Sequence, residues 1–145
     1  MAVSVYGDIV KAARKRYDDT TTFNGLTADT DSMTLGQGRT DDAMPYIVFN
    51  LISKATHYRL NELTDPIEEV GVSFSVFTDA LSPATLFALM DQVEANYGAN
   101  ATALAFTSSN YKHVRSEQTN LSVSFEAGVW HGLMDYDWWL EKLTT

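Results

Sequence analysis

The sequence predicts an α+β fold: one domain over residues 1–145, with an antiparallel sheet of four to five strands and two helices packed mainly on one face. Three observations lead there. Val70, Val72, Phe74 and Val76 alternate with Gly71, Ser73 and Ser75, the period of a strand with one face in a core. Soon afterwards Leu86, Phe87, Met90, Val93 and Tyr97 recur at helical spacing, with Ser82 as N-cap, Pro83 at the first helical position and Gly98 as the stop. Near the start, Tyr6, Ile9, Val10, Ala13 and Tyr17 form a second helical stripe. Burying large side chains from the central strand and its helix contributes roughly 1.5–3 kcal/mol each before chain entropy is subtracted, so the two are expected to pack as one unit.

A chain of 145 residues with 45% hydrophobic and 12% aromatic content can enclose a sizeable core. It contains no cysteine, which excludes disulfides, thiolate nucleophiles, iron–sulfur clusters and zinc–thiolate sites, and fits an intracellular origin. No basic segment leads into an apolar run at the start, and no stretch approaches the roughly 18 apolar residues of a membrane span, so a soluble, non-exported protein is expected. Asn100-Ala101-Thr102 and Asn120-Leu121-Ser122 then read as chance tripeptides and not as glycan acceptors. A net charge of −9 disfavours autonomous binding to nucleic acid or to an anionic membrane.

Taken in order, the first helix spans Ser4 to Tyr17, and its basic end, Lys11 to Arg16, complements the negative end of the helix dipole as a solvated face. Asp18 to Asp42 is polar and holds at most a short edge strand near Met33–Gln37. Pro45 opens a nearly continuous apolar run, Tyr46 to Ile52, suited to a strand buried on both faces. The polar segment Ser53 to Asp65 reads as a long hairpin extension leading to the central strand. Beyond the second helix lie the short apolar piece Ala103 to Phe106, the turn-like Thr107-Ser108-Ser109-Asn110 and an extended segment, Tyr111 to Phe125. Glu126-Ala127-Gly128 is short enough for a hairpin into a last strand, Val129 to Leu140. In that strand Trp130, Met134, Tyr136 and Trp138 share one face, and Val129, His131, Leu133 and Trp139 share the other. Two helices cover about one face of such a sheet, which leaves apolar surface for a neighbouring subunit or for the loops 18–42 and 53–65 to cover.

Residues able to do chemistry are present without the spacing that chemistry needs. Gly36-Gln37-Gly38 lacks the later glycine, the lysine and the strand-to-helix setting of a phosphate loop. Asp29-Thr30-Asp31 begins like a calcium loop, but Met33 stands where a ligand is wanted and Thr34 where glycine is needed. Asp29, Asp31, Asp41 and Asp42 could attract a divalent ion only if folding gathered them. His57, His113 and His131 have no metal-ligand spacing, although His131 could meet His113 across a sheet. No Gly-x-Ser-x-Gly turn occurs, and Glu68-Glu69 and the pair Asp135 and Asp137 read as solvated strand positions. Neither a cofactor nor a resident metal is expected. Trp138-Trp139 is the most unusual local feature, since exposed tryptophan is costly and interfaces are enriched in it; the other reading is a strand end that closes the subunit's own core.

The helix Val5-Tyr6-Gly7-Asp8-Ile9 through Tyr17, the strand Pro45-Tyr46-Ile47-Val48-Phe49, the run Ile67-Glu68-Glu69-Val70 to Phe77-Thr78-Asp79 before the Ser82-Pro83 helix, and His131-Gly132-Leu133-Met134-Asp135-Tyr136 together resemble the small tail-completion, or tail terminator, proteins of long-tailed phages and prophages. The likeness follows the order of elements through nearly the whole chain and contains no catalytic signature. It implies a curved antiparallel sheet and a non-enzymatic subunit of a homo-hexameric ring in the virion, at the head–tail junction. Such a ring caps the tail tube, ends tail polymerisation and joins the tail to the head. The implied partners are further copies of the chain, the tail tube protein and a head-completion or connector protein, with DNA only as passing cargo and no membrane. Ring contacts are expected from the two-sided apolar strands, at Tyr46, Phe49, Trp130 and Trp138. Two other readings stay open: a different neck protein, either head completion or connector, and a small ligand-binding or enzymatic α+β domain using His113, His131 and nearby acids.

Overall fold

The computed structural model describes residues 5–27, 33–35, 44–59, 62–79, 82–104, 106 and 111–142. Its elements are α1 (Val5–Asp19), α2 (Thr21–Asn24), β1 (Met33–Leu35), β2 (Tyr46–Arg59), β3 (Glu62–Thr78), α3 (Ala84–Tyr97), β4 (Tyr111–Glu126) and β5 (Val129–Lys142). The five strands form one sheet in the order β1-β2-β3-β5-β4. This is the α+β architecture expected, with two additions. The short helix α2 follows α1, and β1 runs parallel to β2, pairing Met33 with Ile47. A parallel neighbour cannot be joined by a tight two-residue turn, as an antiparallel one can.

The remaining pairings are antiparallel, and register follows the apolar alternation. Phe49 lies opposite Phe74, and Phe74 opposite Met134, so the large side chains of β2, β3 and β5 meet on one face. The polar segment after Ile52 continues β2 to Arg59, where it pairs back to Glu62 of β3 as the expected hairpin extension. This extension projects past β5, whose described pairing with β3 ends at Ile67 and Glu141. At the opposite end β4 and β5 turn through Ala127 and Gly128, with φ of 52° and 79°. Two consecutive positive values are those of a two-residue type I′ turn, whose twist matches that of the strands it joins.

Helices α1 and α3 cover the face that carries Phe74. The Phe74 ring packs 4.4 Å from Tyr97 of α3, 5.0 Å from Phe49 and 6.1 Å from Trp138, centroid to centroid. Gly132 lets α3 approach β5 closely, because a Cβ there would stand 2.6 Å from Met90 Sδ. Ser82 Oγ accepts the Ala84 N–H at 3.2 Å, but the helix begins at Ala84, so Pro83 and not Ser82 occupies the N-cap position. The Tyr97 hydroxyl donates to Ala13 O at 2.7 Å and ties α3 to α1.

The basic end of α1 is more than a solvated face. Arg14 and Lys15 make i,i+4 pairs with Asp18 and Asp19. Arg16, in contrast, reaches across to donate to Asn96 O at 2.8 Å and to Thr102 O and Ala103 O at 3.0 Å. It therefore satisfies carbonyls at and beyond the end of α3 that the helix itself leaves unpaired. Among the described residues, no helix is long and apolar enough to cross a membrane.

Candidate functional site

Among the described residues, the histidines singled out by the sequence do not come together. His113 and His131 lie on neighbouring strands, but His113 is opposite Leu140 and His131 opposite Ser124, so the expected meeting across the sheet does not occur. His113 is buried on the helical side. Its Nδ1 accepts the Leu104 N–H at 2.9 Å, which places the ring proton on Nε2, facing Ser116 Oγ at 2.9 Å and Arg115 O at 3.2 Å. Burial holds this imidazole below its usual pKa, and the ring serves as a structural clasp between β4 and the segment after α3. His131 lies on the opposite face with its ring stacked on Phe77 at 4.4 Å. The side chain of His57, the glycines Gly36 and Gly38, and Asp29, Asp31, Asp41 and Asp42 lie outside the described residues. Among the described residues no group of three or more His, Asp or Glu could hold a metal ion.

Glu68 and Glu69 separate as strand alternation requires, whereas Asp135 and Asp137 share the helix-free face. None of the four is the fully solvated strand position expected, because β3 and β5 are interior strands of the sheet. Glu68 turns toward the helices, where it is buried, accepts from Thr56 Oγ1 at 2.8 Å and lies 3.6 Å from Lys54 Nζ. Glu69 turns to the other face, toward Asp137. Burial, a hydrogen bond with Glu69 and the charges of Glu69 and Glu117 all raise the Asp137 carboxyl above its ordinary pKa. Arg115 pairs with Glu117 at 3.7 Å and lies over the Trp139 ring at 4.6 Å. The helix-free face thus presents, from its end near the β4–β5 turn, an aromatic ladder of Tyr46, Phe77 and His131, then Val48 and Leu133, then an acidic band.

The four residues nominated for ring contacts fall into two groups. Phe49 and Trp138 are interior residues of the subunit, 2% and 0% exposed. The Trp138 indole donates to Tyr97 O at 3.2 Å, and its ring lies against Phe49, Phe74 and Tyr97. Tyr46 and Trp130 keep part of their surface, Tyr46 stacked on Phe77 at 5.0 Å and Trp130 on Phe125 at 4.6 Å.

The most open apolar surface is elsewhere. Helix α3 covers β3 and β5 but stops short of β4, leaving Phe87, Leu121, Val123 and Phe125 between 43% and 56% exposed. Together with Met90 and Met134 the first three line a groove of about 360 Å³, with Asp91 and Glu94 on its helical rim. The Tyr136 hydroxyl donates to Glu94 at 2.5 Å and holds that carboxylate against the groove. Beside it runs the outer edge of β4, which pairs with no strand among the described residues. Helical spacing with Met90 puts Phe87 in the stripe expected to meet the sheet. The buried set is instead Leu86, Leu89, Met90, Val93 and Tyr97, a complete stripe without it. That redundancy was the available signal. Tyr6 is likewise exposed at the edge of the α1 stripe.

No family model matches the sequence, and no curated protein matches it. Among solved structures, one chain of the virion of a native gene transfer agent (GTA) particle has the same fold, with a TM-score of 0.72 at 15% identity, over 97% of this chain and 99% of that chain. At that identity the likeness concerns the fold alone.

Proposed function

We propose that this chain is a non-enzymatic structural protein of a phage-type virion, and that its role is the tail terminator: a homo-hexameric ring that caps the tail tube, ends tail polymerisation and joins the tail to the head. The observation that carries this reading is an end-to-end likeness of fold, 97% of one chain on 99% of the other, to a component of a gene transfer agent virion. The resemblance of elements in the sequence supports it independently, from Val5 to Tyr136. Apolar groups left exposed over β4 and the partly open ladder at Tyr46 and His131 give the subunit surface to bury against neighbours. Phe49 and Trp138 would serve such contacts from beneath, by holding the sheet. The acidic balance of the chain would let DNA pass through a ring without adhering. Localisation would be the virion, with the tail tube protein and a head-completion or connector protein as neighbours.

Native mass over a concentration series, with and without magnesium, tests the reading. A discrete species at six times the 16.1 kDa chain mass is expected. A chain that stays monomeric throughout, or forms only a tight dimer, would overturn the ring. Cosedimentation with headless tails, and not with DNA-filled heads lacking tails, separates a tail terminator from another neck protein.

A further inference from the structure

We propose that the groove between α3 and β4 receives the α1 flank of a second copy of this chain, so that subunits join head to tail. This rests on the ring reading and specifies its contact.

The helical layer over the sheet has two occupied places and one open one. Helix α1 lies over β2, where Val10 and Arg14 border a small pocket floored by Phe49, and Tyr6 lies beside Lys54. Helix α3 lies over β3 and β5. Over β4 nothing described covers Leu121 and Val123, and the space beside α3 is a trough with an apolar floor and an acidic rim at Asp91 and Glu94. A helix flank fits such a trough when it offers apolar anchors at i and i+4 with cations around them.

The opposite border of the same subunit has those properties. Tyr6, Val10 and Arg14 follow one another along one flank of α1, and Tyr6 is 45% exposed. Lys11 stands exposed beside them, and the Lys54 ammonium lies 5.7 Å from the Tyr6 ring. Helix α1 holds Lys11, Arg14, Lys15 and Arg16, four of only ten lysines and arginines in the chain. Arg16 turns away to the end of α3, and Arg14 and Lys15 pair with Asp18 and Asp19. In a chain of net charge −9 the cations that this border offers to the acidic rim are therefore the exposed Lys11 and, beside Tyr6, Lys54. The groove lies over the edge strand β4 and the flank lies toward the other end of the strand order, over β2 and next to the edge strand β1, so the contact is heterologous and repeats until the rotation closes a ring.

The test uses the full chain, and the exposed positions Lys11, Asp91, Tyr6 and Phe87. Asp91→Lys and Lys11→Glu should each weaken self-association about tenfold, and the two combined in one chain should restore it, with far-UV circular dichroism unchanged. Because the chain lacks cysteine, Tyr6→Cys with Phe87→Cys in one chain should give a ladder of covalent oligomers with a short thiol cross-linker, where neither alone does. A ring that forms normally in every charge variant and gives no ladder would overturn this contact and leave the ring reading standing. A ladder obtained with Glu117→Cys on the β4 edge, and not with Phe87→Cys, would also overturn it, assigning the contact to strand addition. A wild-type chain that never associates would overturn both.

Discussion

Trp138 distinguishes a core from an interface in a single substitution. In the structure its indole is enclosed by Phe49, Phe74, Tyr97 and His113 and hydrogen-bonded to Tyr97 O. Trp138→Ala removes a fully buried ring, which costs about 3–5 kcal/mol through lost transfer energy and the cavity left behind. It also leaves the Tyr97 carbonyl without its donor, adding about 1 kcal/mol. A domain of this size has about 5–15 kcal/mol of stability in total, so the variant should be close to unfolded. Trp138→Phe keeps a ring in place and should cost about 1–2 kcal/mol, mostly from the lost N–H bond and unfilled volume. The assay is urea titration followed by far-UV circular dichroism at concentrations where the wild type is monomeric. A Trp138→Ala chain with the wild-type midpoint and a lost capacity to associate would refute the placement of this residue in the subunit core.

Three further outcomes follow from local geometry. Gly132→Val should cost about 1–3 kcal/mol by pushing Met90 and Leu86 away from β5, and the cost should shrink in a Met90→Ala background, which a double-mutant cycle in urea measures. Ala127→Asn should raise stability by about 0.5–1 kcal/mol, since asparagine tolerates the φ of 52° better and completes the Asn-Gly pair favoured in this turn; an unchanged melting midpoint would count against the type I′ geometry. His113 and His131 both have folded pKa values below the ordinary 6.5, so the unfolded chain binds more protons as pH falls. Their contribution is therefore complete at pH 8 and lost as pH falls through 6.5 toward the lowered values. His113→Gln should flatten this slope in midpoints measured from pH 8 to 5, and an unchanged slope would show that the Leu104 clasp does not titrate.

Much of this fold was legible before any coordinates. The alternation at Val70–Val76 and the capped stripe from Ser82 to Gly98 identified β3 and α3, because burying one face imposes a period on the chain wherever it happens. The short Ala127-Gly128 connection identified the last hairpin for the same local reason. Reading failed where more than one element could claim the same residue. Trp138 reads equally well as a contact for a partner or for a core, and Tyr97 and Phe49 decided it by enclosing the ring. Arg16 reads as a solvated cation of a helix terminus, yet the end of α3 arrives beside it from eighty residues away. Phe87 and Tyr6 have the chemistry of core residues and extend the stripes of their helices, but each stripe already had enough members to meet the sheet.

By itself, then, the sequence determined the strands and the two long helices, though not the short α2, and that they share one apolar layer, since period and turn chemistry act over a few residues. Tertiary structure alone decided that β1 runs parallel to β2, that His113 and His131 face opposite sides of the sheet, and that β4 lies beyond the reach of α3. These are outcomes of strand order and of where each helix comes to rest. They depend on contacts between residues far apart in the chain, and no local pattern records them.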